Sequence, residues 1–127
     1  MKKREHRSCP FCEVEPARLV SACEAAIAIK DSYPITEGHT LVLLRSHVKS
    51  IFDLSTLEQG ALWAFVAEIR LSLARKMSVD AFNIGINDGT AAGQTIEHAH
   101  IHLIPRRKGD VIDPTCSTRK HESKDHQ

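Results

Sequence analysis

Apolar residues recur along this chain with two different periods, and the change of period divides it into elements. A short alternation opens at Leu19-Val20. Ala25 to Ile29 (Ala-Ala-Ile-Ala-Ile) then reads as a buried strand, closed by the turn-forming Lys30-Asp31-Ser32-Tyr33-Pro34. Gly38 precedes His39-Thr40-Leu41-Val42-Leu43-Leu44, a second strand with a histidine at its mouth, so an antiparallel pair joined by a loop is expected. The period then lengthens. Leu62, Val66, Ile69, Leu73 and Met77 recur at steps of three and four, the apolar stripe of an amphipathic helix, widened by Trp63 and Phe65. Ser55-Thr56-Leu57-Glu58 has the form of a capping box, which starts that helix at about Thr56 and lets it run to Lys76. Gly60 only weakens its first turn. Alternation returns over Ala81 to Asn87, a third strand, followed by the loop Asp88 to Gly93 and a strand from Gln94 to Pro105. Residues 1–112 are expected to form a single domain. Beyond it, 113–127 lose all periodicity and read as a polar tail, mobile or ordered only against a partner.

Composition narrows the classes. A chain of 127 residues can bury a core without disulfides, and its formal net charge of +1 gives no dedicated nucleic-acid surface. The charged start Met1-Lys2-Lys3-Arg4-Glu5-His6-Arg7 is followed by no apolar run of a signal peptide, and no stretch has the length of a membrane span. A cytoplasmic location is expected. Of the 4 cysteines, Cys9 and Cys12 form a Cys-Pro-Phe-Cys pair while Cys23 and Cys116 stand alone, a usage that suggests metal or redox chemistry more than structural bridges.

The chemistry concentrates in His98-Ala99-His100-Ile101-His102-Leu103-Ile104. Side chains alternate faces along a strand with a rise of roughly 3.3 Å per residue, so the three imidazoles share one face about 6.6 Å apart. Ala99, Ile101 and Leu103 take the other face and can pack in a core. Packing alone would place Val, Ile or Thr where the histidines stand. Imidazoles either ligate metal or act as acid, base or nucleophile near neutral pH.

Flanking residues bear on both uses. Cys9 and Cys12 have the spacing of a zinc knuckle; with His47 and His98 they would complete a closed Cys2His2 site, although a redox pair or unrelated thiols would also fit. Before the triad stand Gly93-Gln94-Thr95, with Asn87 and Gly89 just upstream. Glycines let backbone amides approach an anion, and Gln and Thr add neutral donors, a set suited to a phosphoryl group whose charge shifts during reaction.

Asp31-Ser32-Tyr33-Pro34, Gly38-His39-Thr40-Leu41-Val42, Ser46-His47, Asn87-Asp88-Gly89, Gly93-Gln94-Thr95 and the triad through Pro105 together resemble the histidine triad (HIT) superfamily, in order from about Cys9 to Asp110. The resemblance implies an α+β domain, with an antiparallel five-stranded sheet and helices against it, doubled into a homodimer. It implies a nucleotide hydrolase or nucleotidyl transferase that cleaves at the α-phosphate of dinucleoside polyphosphates or purine nucleoside phosphoramidates. His100 would attack phosphorus to form a covalent nucleotidyl-imidazole, and His102 would touch the phosphate or leaving group as donor or acid. His39, Asn87, Gly93, Gln94 and Thr95 would line the phosphate pocket, and Asp31 would bind ribose hydroxyls, beside its plain reading as a turn former ahead of Pro34. Bacterial relatives of this type share structural zinc among residues matching Cys9, Cys12, His47 and His98.

Three departures from the family pattern stand out. Leu44-Arg45 replaces a common Pro-Lys, Glu97 adds a carboxylate beside the triad on the opposite face, and the tail from Asp113 lacks a Gly/Arg-rich ending. Two other functions remain open on the residues: a metalloenzyme whose triad histidines all hold one ion, and a non-catalytic module that binds purine nucleotide or protein.

Overall fold

The computed structural model describes residues 9–110; the expected tail at 113–127 and the last residues of the expected domain lie outside them. Strands β1 (Leu19–Ala22), β2 (Ala26–Lys30), β3 (Thr40–Leu44), β4 (Ala81–Gly85) and β5 (His100–Arg106) form one antiparallel sheet in the order β1-β2-β3-β5-β4. Helix α1 (Thr56–Lys76) connects β3 to β4, with short 3-10 turns at Pro16–Arg18, Ile51–Asp53 and Thr90–Ala92. The fold is α+β, with one α-helix among the described residues where the resemblance implied several. Among the described residues no helix is long and apolar enough to cross a membrane.

Local chemistry sets the helix bounds. Ser55 Oγ accepts from the Glu58 amide at 3.1 Å, and Glu58 Oε1 accepts from the Ser55 amide at 2.8 Å, so the capping box closes both ways. Leu62, Phe65, Val66, Ile69 and Leu73 are buried. Trp63, expected to widen that stripe, is 40% exposed instead. It follows Leu62 by one residue, a turn of roughly 100° around the axis, and so lines up with Ala67 and Leu71 on a solvent-facing side.

The sheet has two unlike faces. Ala26, Ala28, Val42, Leu44, Ala99, Ile101 and Leu103 pack under α1 as the main core. On the other face Ile29, Leu41 and Leu43 pack with Phe11. Leu43 pairs with His100 and Leu41 with His102, which puts both imidazoles on this second face, away from the helix.

Two strands are shorter than the alternation predicts. β4 ends at Gly85 rather than Asn87, and β5 begins at His100 rather than Gln94. Ahead of β5 the amides bond outside the sheet: His98 N–H to the Ile96 carbonyl at 2.8 Å, and Ala99 N–H to the Val48 carbonyl at 2.7 Å. His98 therefore stands in a bend before the strand, not in it.

Candidate active site and metal centre

His100 is buried on the second face, at 5% exposure, with the edge of the Phe11 ring 5.0 Å away between centroids. Its Nδ1 lies 2.8 Å from the His98 carbonyl oxygen. A carbonyl only accepts, so Nδ1 carries the proton and Nε2 keeps its lone pair. Burial holds the ring below the ordinary imidazole value of 6.5, against opposing pulls from the His98 carbonyl and Asp31. At neutral pH this is an uncharged imidazole with a fixed tautomer.

His39 and His102 meet beside it. His39 Nε2 is 3.0 Å from His102 Nδ1 and 3.2 Å from Asp31 Oδ2, while its Nδ1 accepts the Ile35 amide at 3.0 Å. Burial lowers the His39 pKa; Asp31 opposes this and Arg106 adds to it. Asp31 acts as the turn former weighed for it, Oδ1 accepting the Tyr33 amide at 2.9 Å, while Oδ2 faces His39.

The loop between β4 and β5 is held by Gln94. Its Oε1 accepts the Gly89 amide at 2.8 Å, and its Nε2 donates to the carbonyls of Lys49 at 2.9 Å and Ile96 at 3.0 Å. A side-chain amide has two hydrogens, and both are engaged, so here Gln94 braces the loop rather than offering donors to an anion. Thr95 is exposed. Gly93 has φ of 101°, and a Cβ there would meet Asn87 Nδ2 at 2.9 Å, so glycine lets these two segments close on each other. Glu97, the carboxylate beside the triad, is exposed with Lys49 Nζ 3.7 Å away.

Cys9, Cys12, His47 and His98 converge, their ligand atoms all within 4.8 Å of one another. His98 Nε2 donates to the Leu44 carbonyl at 2.7 Å, which leaves Nδ1 as the lone-pair atom. That Nδ1 is 3.4 Å from Cys9 Sγ and 3.6 Å from Cys12 Sγ, and Cys12 Sγ is 3.1 Å from His47 Nδ1. Tetrahedral zinc with ordinary Zn–S and Zn–N bonds sets sulfur and nitrogen about 3.5 Å apart. The four donors fit a metal ion. Without one, burial and the neighbouring Cys9 push the Cys12 thiol up to about 11. Cys23 stands apart, against the helix-side core.

This arrangement speaks against all three triad imidazoles sharing one ion. Among the described residues, His98 groups with the thiols, His102 with His39 and Asp31, and His100 with neither set. Three participants were not read from the sequence. Phe11 could have been suspected from its position inside the Cys-x-x-Cys turn. Ile35 contributes only a backbone amide, which no side chain advertises. Arg106, on the same face two strand repeats beyond His102, is buried and bound to Asp110 at 2.6 and 3.1 Å.

A HIT domain model matches residues 13–109. The adenylylsulfatase HINT3 of Arabidopsis thaliana is 30% identical over 120 residues, 91% of this chain and 61% of that protein. The asymmetrical bis(5'-nucleosyl)-tetraphosphatase of Schizosaccharomyces pombe is 42% identical over 80 residues, 63% of this chain and 44% of that enzyme. This chain thus spans less than two thirds of either relative. A crystal structure of a zinc-bound histidine triad family protein from Mycobacterium smegmatis superposes with a TM-score of 0.73 at 38% identity, covering 84% of this chain and 81% of its own.

Proposed function

The chain belongs to the HIT domain family, and from that premise we propose that it is a nucleotide hydrolase or nucleotidyl transferase acting at the α-phosphate of dinucleoside polyphosphates or purine nucleoside phosphoramidates. One observation carries this reading: the 2.8 Å hydrogen bond from His100 Nδ1–H to the His98 carbonyl, which reserves Nε2 for attack. The family includes an adenylylsulfatase and a bis(5'-nucleosyl)-tetraphosphatase, both acting on nucleotides.

In the first step the Nε2 lone pair forms a bond to the α-phosphorus as the bond to the leaving group breaks. The leaving group departs while accepting a hydrogen bond from the His102 N–H. Water then adds to phosphorus and gives up a proton to the departed leaving group or to solvent, the P–N bond breaks, and nucleoside monophosphate leaves with His100 restored. Asp31 suits the ribose hydroxyls, and Asn87, Gly93 and Thr95 suit the phosphate oxygens. Gln94 supports them by bracing their loop. Cys9, Cys12, His47 and His98 would hold structural zinc; such a closed site offers no open position for substrate and supplies anchorage of the N-terminal segment to the histidine strand. Reduced thiols at Cys9 and Cys12 suit the cytoplasm. A homodimer would use the edge strand β4 and the exposed side of α1, where Trp63 and Leu71 are 40% and 48% exposed.

The test is intact-mass analysis after addition of a diadenosine polyphosphate. A nucleotidyl adduct on the wild-type chain, absent from His100→Ala although nucleotide still binds, is the expected result. Unchanged turnover by His100→Ala refutes the nucleophile. Tight nucleotide binding with neither adduct nor product marks a binding module instead.

A further inference from the structure

We infer that the backbone amide of Ile35, acting through His39, fixes His102 in its Nε2–H form, so that the imidazole beside the nucleophile presents substrate with a hydrogen-bond donor. The donor role rests on the proposed attack by His100; the tautomer itself does not.

The chain of contacts runs in one direction. Ile35 N–H can only donate, and it donates to His39 Nδ1 at 3.0 Å. A neutral His39 therefore carries its proton on Nε2. That N–H faces His102 Nδ1 at 3.0 Å, with Asp31 Oδ2 3.2 Å from the same nitrogen. His102 Nδ1 must then hold a lone pair, because the other tautomer would set two N–H hydrogens against each other in a buried site. The proton of His102 falls to Nε2, at the ring edge remote from His39. The ring itself stands 5.2 Å from that of His100.

The origin of this order is a pinned loop. Thr36 Oγ1 donates to the Pro105 carbonyl on β5 at 2.6 Å, and His39 N–H donates to the Thr36 carbonyl at 3.1 Å. Ile35 sits next to Thr36, so its amide is held against the ring it protonates by exclusion. Asp31, Ile35 and His39 are positioning residues, and His102 is the group that touches substrate.

The same bond decides what the cluster is not. Asp31, His39 and His102 present ligand atoms within 4.8 Å, a spacing a cation could bridge. Yet His39 Nε2 stays protonated as long as Ile35 occupies Nδ1, and a protonated nitrogen cannot ligate. The contacts form a hydrogen-bond chain that sets a tautomer.

Long-range proton–nitrogen correlation on the full chain with 15N-labelled histidine reads each tautomer directly. His39 and His102 should both show a protonated Nε2 and a bare Nδ1; either ring as Nδ1–H overturns the inference, whatever the activity. Ile35→Pro deletes the amide hydrogen, and Ile35→Ala keeps it while removing the side chain. The proline variant should give mixed tautomers and lose about tenfold or more in kcat with KM nearly unchanged, a share of what one hydrogen-bond donor to developing charge contributes. The alanine variant should match wild type; a loss equal to that of proline overturns the inference as a packing effect. Should the proline variant fail to fold, the wild-type spectra still decide. A chain with the expected tautomers but no adduct on His100 would refute the nucleophile and leave the tautomer assignment standing.

Discussion

Replacing Gly38 by alanine tests how the loop before His39, the end of α1 and strand β5 lock together. Gly38 has φ of 93°, a left-handed backbone that costs a residue with a side chain roughly 1–2 kcal/mol. A Cβ there would also lie 2.7 Å from Met77 Sδ, 3.1 Å from Met77 Cε and 3.1 Å from Pro105 Cγ. Overpacking of this kind costs about 1–3 kcal/mol. The thioether of Met77 can swing aside, but the Pro105 ring is held within β5. The two contributions together put Gly38→Ala about 2–5 kcal/mol below wild type. Urea unfolding of both proteins, repeated in a Met77→Ala background, separates the parts. With Met77 truncated, the cost of the glycine substitution should fall by about 1 kcal/mol, leaving the backbone strain and the Pro105 contact. Two results would refute the reasoning: a Gly38→Ala cost under about 0.5 kcal/mol, the range of an ordinary surface change, or an equal cost in both backgrounds.

Asp110→Asn should lower stability at neutral pH by removing the carboxylate that grips Arg106. Arg106 and the Arg107 amide hold the Asp110 carboxyl below its ordinary 3.8, so its stabilisation is present above that value and lost as pH falls through the folded-state value. The gap between wild type and variant, followed by urea unfolding, should narrow in acid; a gap constant from pH 7 to pH 2 contradicts the pairing. Chain purified from zinc-supplemented cells should carry about one zinc ion by elemental analysis, the complement of a single Cys2His2 site, and Cys12→Ser should carry much less. Equal zinc in both would exclude Cys12 as a ligand. Trp63→Glu should convert a dimer to a monomer in sedimentation; an unchanged sedimentation coefficient would move the interface elsewhere.

Elements governed by short-range rules were legible in the chain itself. Helix α1 follows its capping box and apolar steps, with the bounds expected, because both signals are local. The convergence of Cys9, Cys12, His47 and His98 was legible because the two cysteines are close in sequence and the histidine positions matched a known pattern. Legibility stops where distant segments compete for the same groups. Alternation carried the last strand back to Gln94, but Val48 takes the Ala99 amide and Gln94 gives its own donors to Lys49 and Ile96. Gln94 offers the same two donors to a phosphate or to a loop, and only the folded backbone shows which receives them. Trp63 is apolar enough for the core but one residue off its stripe. Ile35 acts through an atom every residue but proline possesses, so nothing in its identity could mark it.

On β5 parity separates duties. Odd-numbered Ile101 and Leu103 belong to the layer beneath the helix, whereas even-numbered His100 and His102 belong to the opposite surface. Neighbouring residues thus answer to different demands: heat tolerance could be engineered by refitting the odd set while the even one stays untouched, with the thickness of a single sheet as insulation between them.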